Sequence, residues 1–600
     1  MKLIRKGIAA ALIMVMIAAL AACSGSSSEE SSTSTETALS QLDMSKWQYN
    51  TDDDVYYQTG ISYCESPADE SYEQLAVFVP GAYMTGSDNG DGTYTCELNG
   101  TGEVNGYTAA TAPIVMPINT PGYSAQDALT DYTDVSEYMS AGFVYAHAGC
   151  RGRDAGAPAG VTDLKAAVRY IRYCDEVLAG SSESIFTFGM SGGGAQSAVM
   201  GSTGDSDLYD AYLEEIGAVQ GVSDAVLGSM CWCPITNLDT ADEAYEWMMG
   251  ATRSDLSDDE QAISDALAEA FAEYINDAGI KDDSGNVLSL SKSDDGIYQS
   301  GSYYDCMKAT IEDSLNHFLS DTEFPYDASS SSSGGMGGGG MNGGGMPSGE
   351  KPDFADGEMP DGAPSGDNQG EESGSSTDMS DAESNDDITR NSTSGGLSLS
   401  GSYETAQDYI DALNANGEWV TYDSANGTVT ITSIEDFVKN LKTASKNLGA
   451  FDQLDGGQGE NTLFGYGDGN GAHFDQTLAD ILKELGSDYA SAYSEDLEKT
   501  DSAGNTVGTR VDMYTPLYYL LESEKGYGTS TAAKYWRIRT GINQSDCALS
   551  TEMNLALALQ NNSSVESVDF ETVWGQGHTQ AERTGSSSDN FIAWVDECIK

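Results

Sequence analysis

The spacing of hydrophobic and polar positions predicts a parallel α/β sheet in the first part of the chain. Short apolar runs rich in β-branched residues predict strands, and apolar residues that recur every three or four positions predict helices between them. Alternation of strand and helix is typical of a parallel sheet with crossover helices. The predicted strands are 75–79, 113–116, 143–146 and 185–188, and the predicted helices are 162–173, with Thr162 as N-cap, and 195–200.

The middle of the chain has a different pattern. Residues 238–274 have a helical period, with acidic and alanine residues throughout, and helical pieces recur at 406–413 and 434–448. Residues 328–402 consist of a serine run, a glycine and methionine stretch, and a proline, aspartate and glycine tract. With almost no aromatic or β-branched residues, this segment cannot bury enough surface to fold, so we expect a disordered insert. Its methionines could instead collect metal ions.

The last part returns to α/β character. Apolar runs predict strands at 535–539 and 565–573, and helical periods predict helices at 549–560 and 589–600. Two α/β parts thus flank a helical insertion. We place the first part of the core at 46–235, the insertion at 236–520 and the second part of the core at 521–600.

The N-terminus has the pattern of an export signal. Lys2, Arg5 and Lys6 precede an apolar stretch, and Leu-Ala-Ala-Cys23 is followed at once by polar residues. This motif resembles a bacterial lipobox, which implies a signal peptide at 1–22, a lipid on Cys23 and a flexible tether at 23–45. The expected location is the outer face of the cell membrane. An ordinary signal peptide or an uncleaved anchor are the alternatives.

Charge and cysteine content narrow the functional classes. The net charge is −69, from 96 acidic and 27 basic residues. Such a surface repels phosphate backbones, so we expect no nucleic-acid partner. Nine of the ten cysteines remain after Cys23, and none has zinc-site spacing, so we expect no metal. Some of the nine could form disulfides after export. Cys231 and Cys233 are more simply explained as small buried residues.

A glycine-flanked serine provides the candidate nucleophile. The sequence Gly189-Met190-Ser191-Gly192-Gly193 directly follows a predicted strand and directly precedes a predicted helix, as a nucleophile elbow requires. Glycines let the strained turn close, and the N–H of Gly192 would face the developing oxyanion. The second oxyanion donor is expected around 118–122. In a chain with 68 glycines the alternative is a glycine-rich turn that binds phosphate or nothing.

A serine nucleophile needs a base, and the chain has four histidines. The order in α/β hydrolases is serine, then acid, then histidine. His578 fits this order, because it follows the last predicted strand in the glycine-flanked loop Trp574-Gly575-Gln576-Gly577-His578. His147 precedes Ser191, while His317 and His473 lie in the insertion.

The acid should lie just after the preceding strand. Asp546 is the only carboxylate between Lys525 and Glu552, and it would orient His578 and stabilise its imidazolium. Its alternative role is the N-cap of the following helix. The chain is therefore predicted to have an α/β-hydrolase core with an inserted helical lid domain that carries a disordered low-complexity insert.

Several motifs together resemble bacterial tannases, the tannin acyl hydrolases. The resemblance covers most of residues 55–600 outside the disordered insert, and the 32-residue separation of Asp546 and His578 is similar to the family's. The motifs are Gly-Met-Ser-Gly-Gly-Gly-Ala at 189–195, Gly-Arg-Asp at 152–154, Asp-Leu-Lys-Ala-Ala-Val-Arg-Tyr at 163–170, Cys-Trp-Cys-Pro-Ile-Thr-Asn-Leu-Asp at 231–239 and Ala-Tyr-Glu-Trp at 244–247.

The resemblance also implies a substrate. Family members close a helical lid over a galloyl ring and bind its phenolic hydroxyls through a Lys and a Glu, which match Lys446 and Glu460. An ordinary ion pair is the alternative. The family has a second Asp two residues after the triad acid, and here that position is Ala548, which favours a less hydroxylated aromatic ester.

The sequence thus predicts a serine esterase for small aromatic esters that works without a cofactor. A general carboxylesterase or feruloyl-esterase-like enzyme and a serine peptidase on the same core are alternatives. A lipid-anchored binding protein without activity is a further alternative, disfavoured by the complete set of Ser191, Asp546 and His578.

Overall fold

The predicted strands lie side by side in one nine-stranded sheet. The computed structural model describes residues 39–254, 256–293, 299–328, 388–390 and 397–600. The strands of the sheet are β1 Gln48–Asn50, β2 Val55–Ser62, β3 Gln74–Pro80, β4 Ile114–Ile118, β5 Val144–Ala148, β6 Ile185–Met190, β7 Gly228–Trp232, β8 Tyr535–Gly541 and β9 Ser567–Val573.

The sheet is antiparallel at one edge and parallel elsewhere. Its strand order is β1-β2-β3-β5-β4-β6-β7-β8-β9. The pairs from β1 to β5 are antiparallel, and every pair from β5 to β9 is parallel. Strands β4 and β7 are buried along their whole length. Parallel strands covered on both faces have continuous apolar sequences, which is why an apolar run predicted β4. Strand β7, with the sequence Gly-Ser-Met-Cys-Trp, was not among the predicted strands.

Helices cover the sheet and fill the long connection between β7 and β8. Those before that connection are α1 Ser136–Ala141, α2 Ala159–Tyr173, α3 Gly192–Ser202 and α4 Asp210–Glu215. Those within it are α5 Ala241–Met249, α6 Asp258–Ala278, α7 Ser302–Asp321, α8 Ala406–Leu413, α9 Ile434–Leu441, α10 Gly459–Phe464, α11 Gln476–Leu485, α12 Ala490–Leu497, α13 Val507–Tyr514 and α14 Pro516–Leu520. The last two are α15 Leu549–Gln560 and α16 Ser587–Ile599.

The described chain also contains short two-stranded pairs outside the main sheet. All of these pairs are antiparallel. One of them joins the two ends of a long segment, and the others join strands that are close in the sequence. The pairs are Met84–Asp88 with Tyr94–Leu98, Glu103–Val104 with Tyr107–Thr108, Tyr326–Asp327 with Ser402–Tyr403, Ile388–Arg390 with Leu397–Leu399, and Val420–Asp423 with Thr428–Ile431.

The C-terminal helix packs as its sequence predicts. Phe591, Trp594 and Val595 of α16 are all buried. The ring of Phe591 lies 4.4 Å from Phe188 and the ring of Trp594 lies 5.6 Å from Phe186, centroid to centroid. Because Phe186 and Phe188 belong to β6, this helix covers the strand that leads to the candidate nucleophile.

Three predicted helix boundaries are wrong. Helix α2 begins at Ala159, and Thr162 lies inside it with its hydroxyl donating to the carbonyl of Pro158. The predicted helix at 238–274 is two helices, because Ser257 and Glu260 form a capping box that starts α6. The predicted helix at 434–448 ends at Leu441.

The predicted tether and insert fall partly within the described residues. Residues 39–45 pack on the core: Leu42 is 6% exposed, and Gln41 donates a hydrogen bond to the carbonyl of Tyr173. Within the predicted insert the structure describes the paired strands Ile388–Arg390 and Leu397–Leu399. The predicted signal peptide, Cys23 and most of the insert lie outside the described residues. Among the described helices none is long and apolar enough to cross a membrane.

The cysteines of the described chain are all free thiols. Nine are present there, so the disulfides that were considered possible are not formed. Cys231 and Cys233 are buried, in agreement with their interpretation as small core residues.

Candidate active site

Ser191 lies on a strained turn between β6 and α3. Its φ is 60° and its ψ is −122°, a conformation that L-residues rarely adopt. A Cβ atom on Gly193 would lie 2.0 Å from the carbonyl oxygen of Ile118, and one on Gly189 would lie 2.5 Å from the backbone of Gly193. The two glycines are therefore required by close backbone approach, as the nucleophile elbow predicts.

Backbone N–H groups converge beside Ser191. Gly192 is the first residue of α3, so its N–H has no partner within the helix. A Cβ on Gly192 would lie 2.6 Å from the nitrogen of Tyr123 and 3.2 Å from that of Gly122. The loop predicted to contain the second oxyanion donor therefore contacts Gly192. The Tyr123 N–H donates to Thr120, which leaves Gly122 as the better candidate donor.

His578 lies in the loop after β9, and close contacts hold that loop against the ends of neighbouring strands. A Cβ on Gly541, the last residue of β8, would lie 1.9 Å from the carbonyl oxygen of Gly577. The thiol of Cys233, directly after β7, donates to the carbonyl of Thr579 at 3.2 Å. The backbone N–H of Ser191 donates to Trp232, the last residue of β7. Ser191 and His578 are thus brought to the same edge of the sheet.

The residue hydrogen-bonded to His578 differs from the prediction. Nδ1 of His578 lies 2.7 Å from Oε1 of Gln544 but 3.8 Å from Oδ2 of Asp546. The distance to Asp546 exceeds that of a hydrogen bond. Asp546 also does not cap α15, whose N-cap is Ala548. The predicted hydrogen bond between Asp546 and His578 is therefore absent, and a neutral amide takes that place. Reasoning from sequence missed Gln544 because it searched for a carboxylate.

The surroundings of His578 lower the pKa of its imidazole below the ordinary value. Burial is the largest cause, and only 14% of the side chain is exposed. The carboxylate of Asp546 opposes this shift, whereas the ammonium of Lys446 adds to it. His578 is consequently neutral near pH 7, the state that a general base requires.

The other three histidines form hydrogen bonds with residues away from the Ser191 turn. His147 is buried, with Nε2 2.9 Å from the carbonyl of Asp127. His317 pairs with Glu571 at 2.6 Å. His473 pairs with Asp452 at 2.7 Å and stacks on Tyr493. None of the three contacts the Ser191 turn in the described chain.

Lys446 and Glu460 lie close together, which fits both the predicted substrate-binding pair and an ordinary ion pair. Nζ of Lys446 is 4.0 Å from Oε1 of Glu460 and 3.9 Å from the ring centre of Phe451. The backbone of Lys446 is fixed by Tyr245 and Arg253. Glu460 is buried in the first turn of α10, and burial together with Glu460 raises the pKa of Tyr123, next to the candidate oxyanion loop. Both charged groups therefore lie beside the site.

A cleft of about 650 Å³ opens away from Ser191 and His578, between Gly156 and Arg510. Neither Ser191 nor His578 lines it. Its buried cation Arg510 already donates to the carbonyls of Phe464 and Gly465. The candidate chemistry therefore does not lie in this cleft. In the described part of the chain, no three His, Cys, Asp or Glu residues are grouped as metal ligands.

The strand order and the turn after β6 define an α/β-hydrolase fold, with Ser191 on that turn. Comparisons with known proteins agree with this class. A family model described as BD-FAE matches residues 104–272, which contain Ser191. No curated protein matches the chain.

Solved tannase structures are similar to this chain over most of its length. The tannase of Fusobacterium nucleatum is 25% identical, covers 91% of this chain and 95% of its own, and superposes with a TM-score of 0.64. The tannin acyl hydrolase of Lactobacillus plantarum is 23% identical, covers 91% and 94%, and has a TM-score of 0.62. A tannin acyl hydrolase in complex with ethyl gallate is 23% identical, covers the same shares and has a TM-score of 0.61. The resemblance to tannases is thus confirmed, and the chain has their fold.

Proposed function

We propose that the protein is an exported, lipid-anchored serine esterase that cleaves aromatic carboxylic esters. The observation that carries the proposal is the position of Ser191 on a strained turn, at the sheet edge where His578 lies neutral and hydrogen-bonded through Nδ1. Catalysis by these residues requires no cofactor.

The chemistry follows from this arrangement. Nε2 of His578 takes the proton of the Ser191 hydroxyl as its oxygen attacks the ester carbonyl, and the N–H groups of Gly192 and Gly122 stabilise the oxyanion. Collapse of the tetrahedral intermediate expels the alcohol, which receives the proton from His578. Water then attacks the acyl-enzyme with His578 again as base. The carboxylate of Asp546, at 3.8 Å, stabilises the imidazolium electrostatically.

The charged groups beside the site favour a phenolic acyl group. A carboxylate such as Glu460 accepts hydrogen bonds from phenols, and an ammonium such as Lys446 stabilises a phenolate-like oxygen. A related tannin acyl hydrolase has been solved with ethyl gallate. Counted from Asp546, the position of the family's second Asp is Ala548. In the structure, however, Gln544 is the hydrogen-bond partner of His578, and two residues after Gln544 the chain has an aspartate, Asp546. Ala548 is therefore weaker evidence against a galloyl substrate.

The test is an ester panel with a matched lysine control. Wild type should hydrolyse methyl gallate and methyl ferulate faster than an aliphatic nitrophenyl ester, and Ser191→Ala should hydrolyse none. Lys446→Met should raise KM for methyl gallate by about tenfold or more, as expected when a charge-assisted hydrogen bond is lost. Lys499→Met, at an exposed ion pair with Asp496, is the control and should leave KM unchanged.

Three outcomes of the panel would contradict parts of the proposal. Preference for aliphatic esters would indicate a general carboxylesterase. Cleavage of peptides in place of esters would indicate a serine peptidase. No hydrolysis by wild type would leave a binding protein.

Export and anchoring rest on the N-terminal sequence and have their own test. Cells that express the full chain and are fed an alkyne-labelled fatty acid should yield labelled, membrane-associated protein. Cys23→Ser should abolish the label and leave unprocessed precursor. Equal labelling of Cys23→Ser would contradict lipidation at this residue.

A further inference from the structure

We infer that Gln544 is the positioning residue of His578 and that the buried carboxylate of Glu552 behind it supplies the negative charge that a triad acid normally provides. This inference rests on the proposed function and deepens it. The imidazole is hydrogen-bonded to the amide, and the amide is hydrogen-bonded to the carboxylate. In an ordinary triad the imidazole and the carboxylate are in direct contact.

The hydrogen bonds of Gln544 fix the orientation of its amide. Nε2 lies 2.7 Å from Oγ1 of Thr540 and 2.7 Å from Oε1 of Glu552. Glu552, which is ionised near pH 8, can then only accept, so the amide nitrogen points toward it and the amide oxygen points toward His578. The side chain of Gln544 is buried and cannot exchange these partners with water.

This orientation selects the tautomer of His578. An amide oxygen accepts but cannot donate, so Nδ1 of His578 must carry the proton at 2.7 Å. Nε2 is then unprotonated and free to accept the proton of Ser191. The triad acid of other serine hydrolases selects the same tautomer.

Glu552 is built into the protein interior. It is 0% exposed, lies in the first turn of α15 and accepts from the hydroxyl of Thr540 and the thiol of Cys547, both at 3.1 Å. Its Oε2 has no hydrogen-bond partner in the described chain. A buried carboxylate with these donors polarises the Gln544 amide, and the polarised oxygen binds Nδ1–H more strongly.

A buried lysine accompanies Glu552. The ammonium of Lys442 donates to the backbone carbonyl of Gln544 and lies close enough to Glu552 and Asp546 to be influenced by both. Burial lowers the pKa of Lys442 to about 8, and burial raises that of Glu552 to about 7. The other titratable groups that face this pair are the thiols of Cys547 and Cys233. Near pH 8 Glu552 carries its charge.

Asp546 is the less suitable partner for His578. Its side chain is 31% exposed, its oxygen is 3.8 Å from Nδ1, and Gln544 already occupies the hydrogen-bonding position. The Oδ2 atom of Asp546 is itself buried without a hydrogen-bond partner, so Asp546 acts on His578 through space alone, whereas Glu552 acts through the hydrogen-bonded amide of Gln544.

The first experiment measures His578 itself and does not need substrate. Nitrogen NMR of the full chain should show the neutral imidazole of His578 protonated at Nδ1. In Glu552→Gln the pKa of His578 should fall by about half a unit or more, because the imidazolium loses a stabilising charge. An unchanged pKa, or protonation at Nε2, would overturn the inference.

The second experiment compares rates at pH 8 and tests rescue. Glu552→Gln should lower kcat about tenfold or more with KM within about twofold, since the charge acts only on the transition state. The double variant Gln544→Glu with Glu552→Gln moves the carboxylate into direct contact and should restore most of kcat. A merely structural role for Glu552 would not be rescued by this exchange.

Asp546→Asn separates the two candidate acids. The decrease in kcat should be smaller for Asp546→Asn than for Gln544→Leu. If Asp546→Asn loses about a thousandfold or more while Gln544→Leu loses less than about threefold, Asp546 is the acid and the inference fails. If neither the wild type nor any variant hydrolyses esters, the proposed function fails. If the NMR experiment still gives the expected tautomer and pKa change, the contact of His578, Gln544 and Glu552 stands.

Discussion

At the scale of single residues, close backbone contacts decide which substitutions the site tolerates. Gly189 and Gly193 each approach another backbone segment at a distance that no Cβ atom can share. Sequence reasoning placed Ser191 on a turn and His578 in a loop because glycine-flanked segments mark such positions, and the catalytic role of each stays a prediction. It could not identify Gln544, because a neutral amide acquires its role only from the neighbours that the fold provides.

Gly193→Ala tests the elbow. The added methyl would lie 2.0 Å from the carbonyl oxygen of Ile118, so the turn must open. We expect the free energy of unfolding to fall by about 2 kcal/mol or more and esterase activity to be lost. Gly508→Ala, in α13 with its nearest neighbour at 3.8 Å, is the control and should change stability by less than about 0.5 kcal/mol. Urea unfolding of both variants measures this, and equal stabilities would contradict the elbow.

The lowered pKa of His578 predicts activity at mildly acidic pH. A general base works only when unprotonated, so kcat/KM should show a first rise with a midpoint below about 6.5, followed by a second rise near pH 7 as Glu552 gains its charge. Lys446→Met removes a cation and should move the midpoint upward, and Asp546→Asn should move it downward. Profiles of kcat/KM against pH measure all three. Absence of the first rise below pH 7 in wild type would contradict the assignment of His578.

At the scale of elements, the sequence predicted the buried parallel strands better than the edge. Strands β4 and β6 were recognised because continuous apolar runs identify strands buried on both faces. Strand β7 was missed although it is buried along its length, because Gly-Ser-Met-Cys-Trp does not form such a run. Strands β1 and β2 at the antiparallel edge were missed, since they mix polar and apolar positions and β2 is interrupted by an irregularity between Gln58 and Ile61. Helix ends were predicted wrongly where a capping residue lay inside a continuing apolar period, as at Ser257.

Replacement of residues 331–387 tests whether the fold depends on them. The described ends are close: the N–H of Ala328 donates to Gly401, and Ile388 pairs with Leu399. A flexible linker of about ten Gly and Ser residues spans roughly 17 Å and can join them. We expect kcat/KM within about twofold of wild type and a similar melting temperature, because loop length contributes little to stability. Loss of activity would show that this segment contributes to the site.

At the scale of the whole molecule, burial raises the pKa values of several acidic side chains. Burial, together with neighbouring carboxylates, raises the pKa of Asp239 and of Asp242 to about 7 and that of Glu243 to about 8. All three lie at or near the start of α5. The net charge of −69 adds self-repulsion of the same sign. The fold therefore carries more protons than the unfolded chain at mildly acidic pH.

This excess of bound protons predicts greater stability in acid. Groups whose folded pKa is raised stabilise the fold fully below their unfolded pKa of about 4, and this contribution is lost as pH rises through about 7 to 8. We expect the melting temperature to fall by about 3 °C or more between pH 5.5 and pH 8. Glu243→Gln should flatten this dependence in scanning calorimetry. A melting temperature that rises over this range would contradict the burial of these acids.

Covalent labelling of Ser191 tests the central claim most directly. Incubation of wild type with a fluorophosphonate, followed by intact-mass and peptide analysis, should give one adduct on the peptide that contains Ser191. Ser191→Ala should give none, and His578→Ala should react far more slowly because the hydroxyl loses its base. An unlabelled wild type, or equal labelling of Ser191→Ala, would contradict the assignment of Ser191 as a nucleophile.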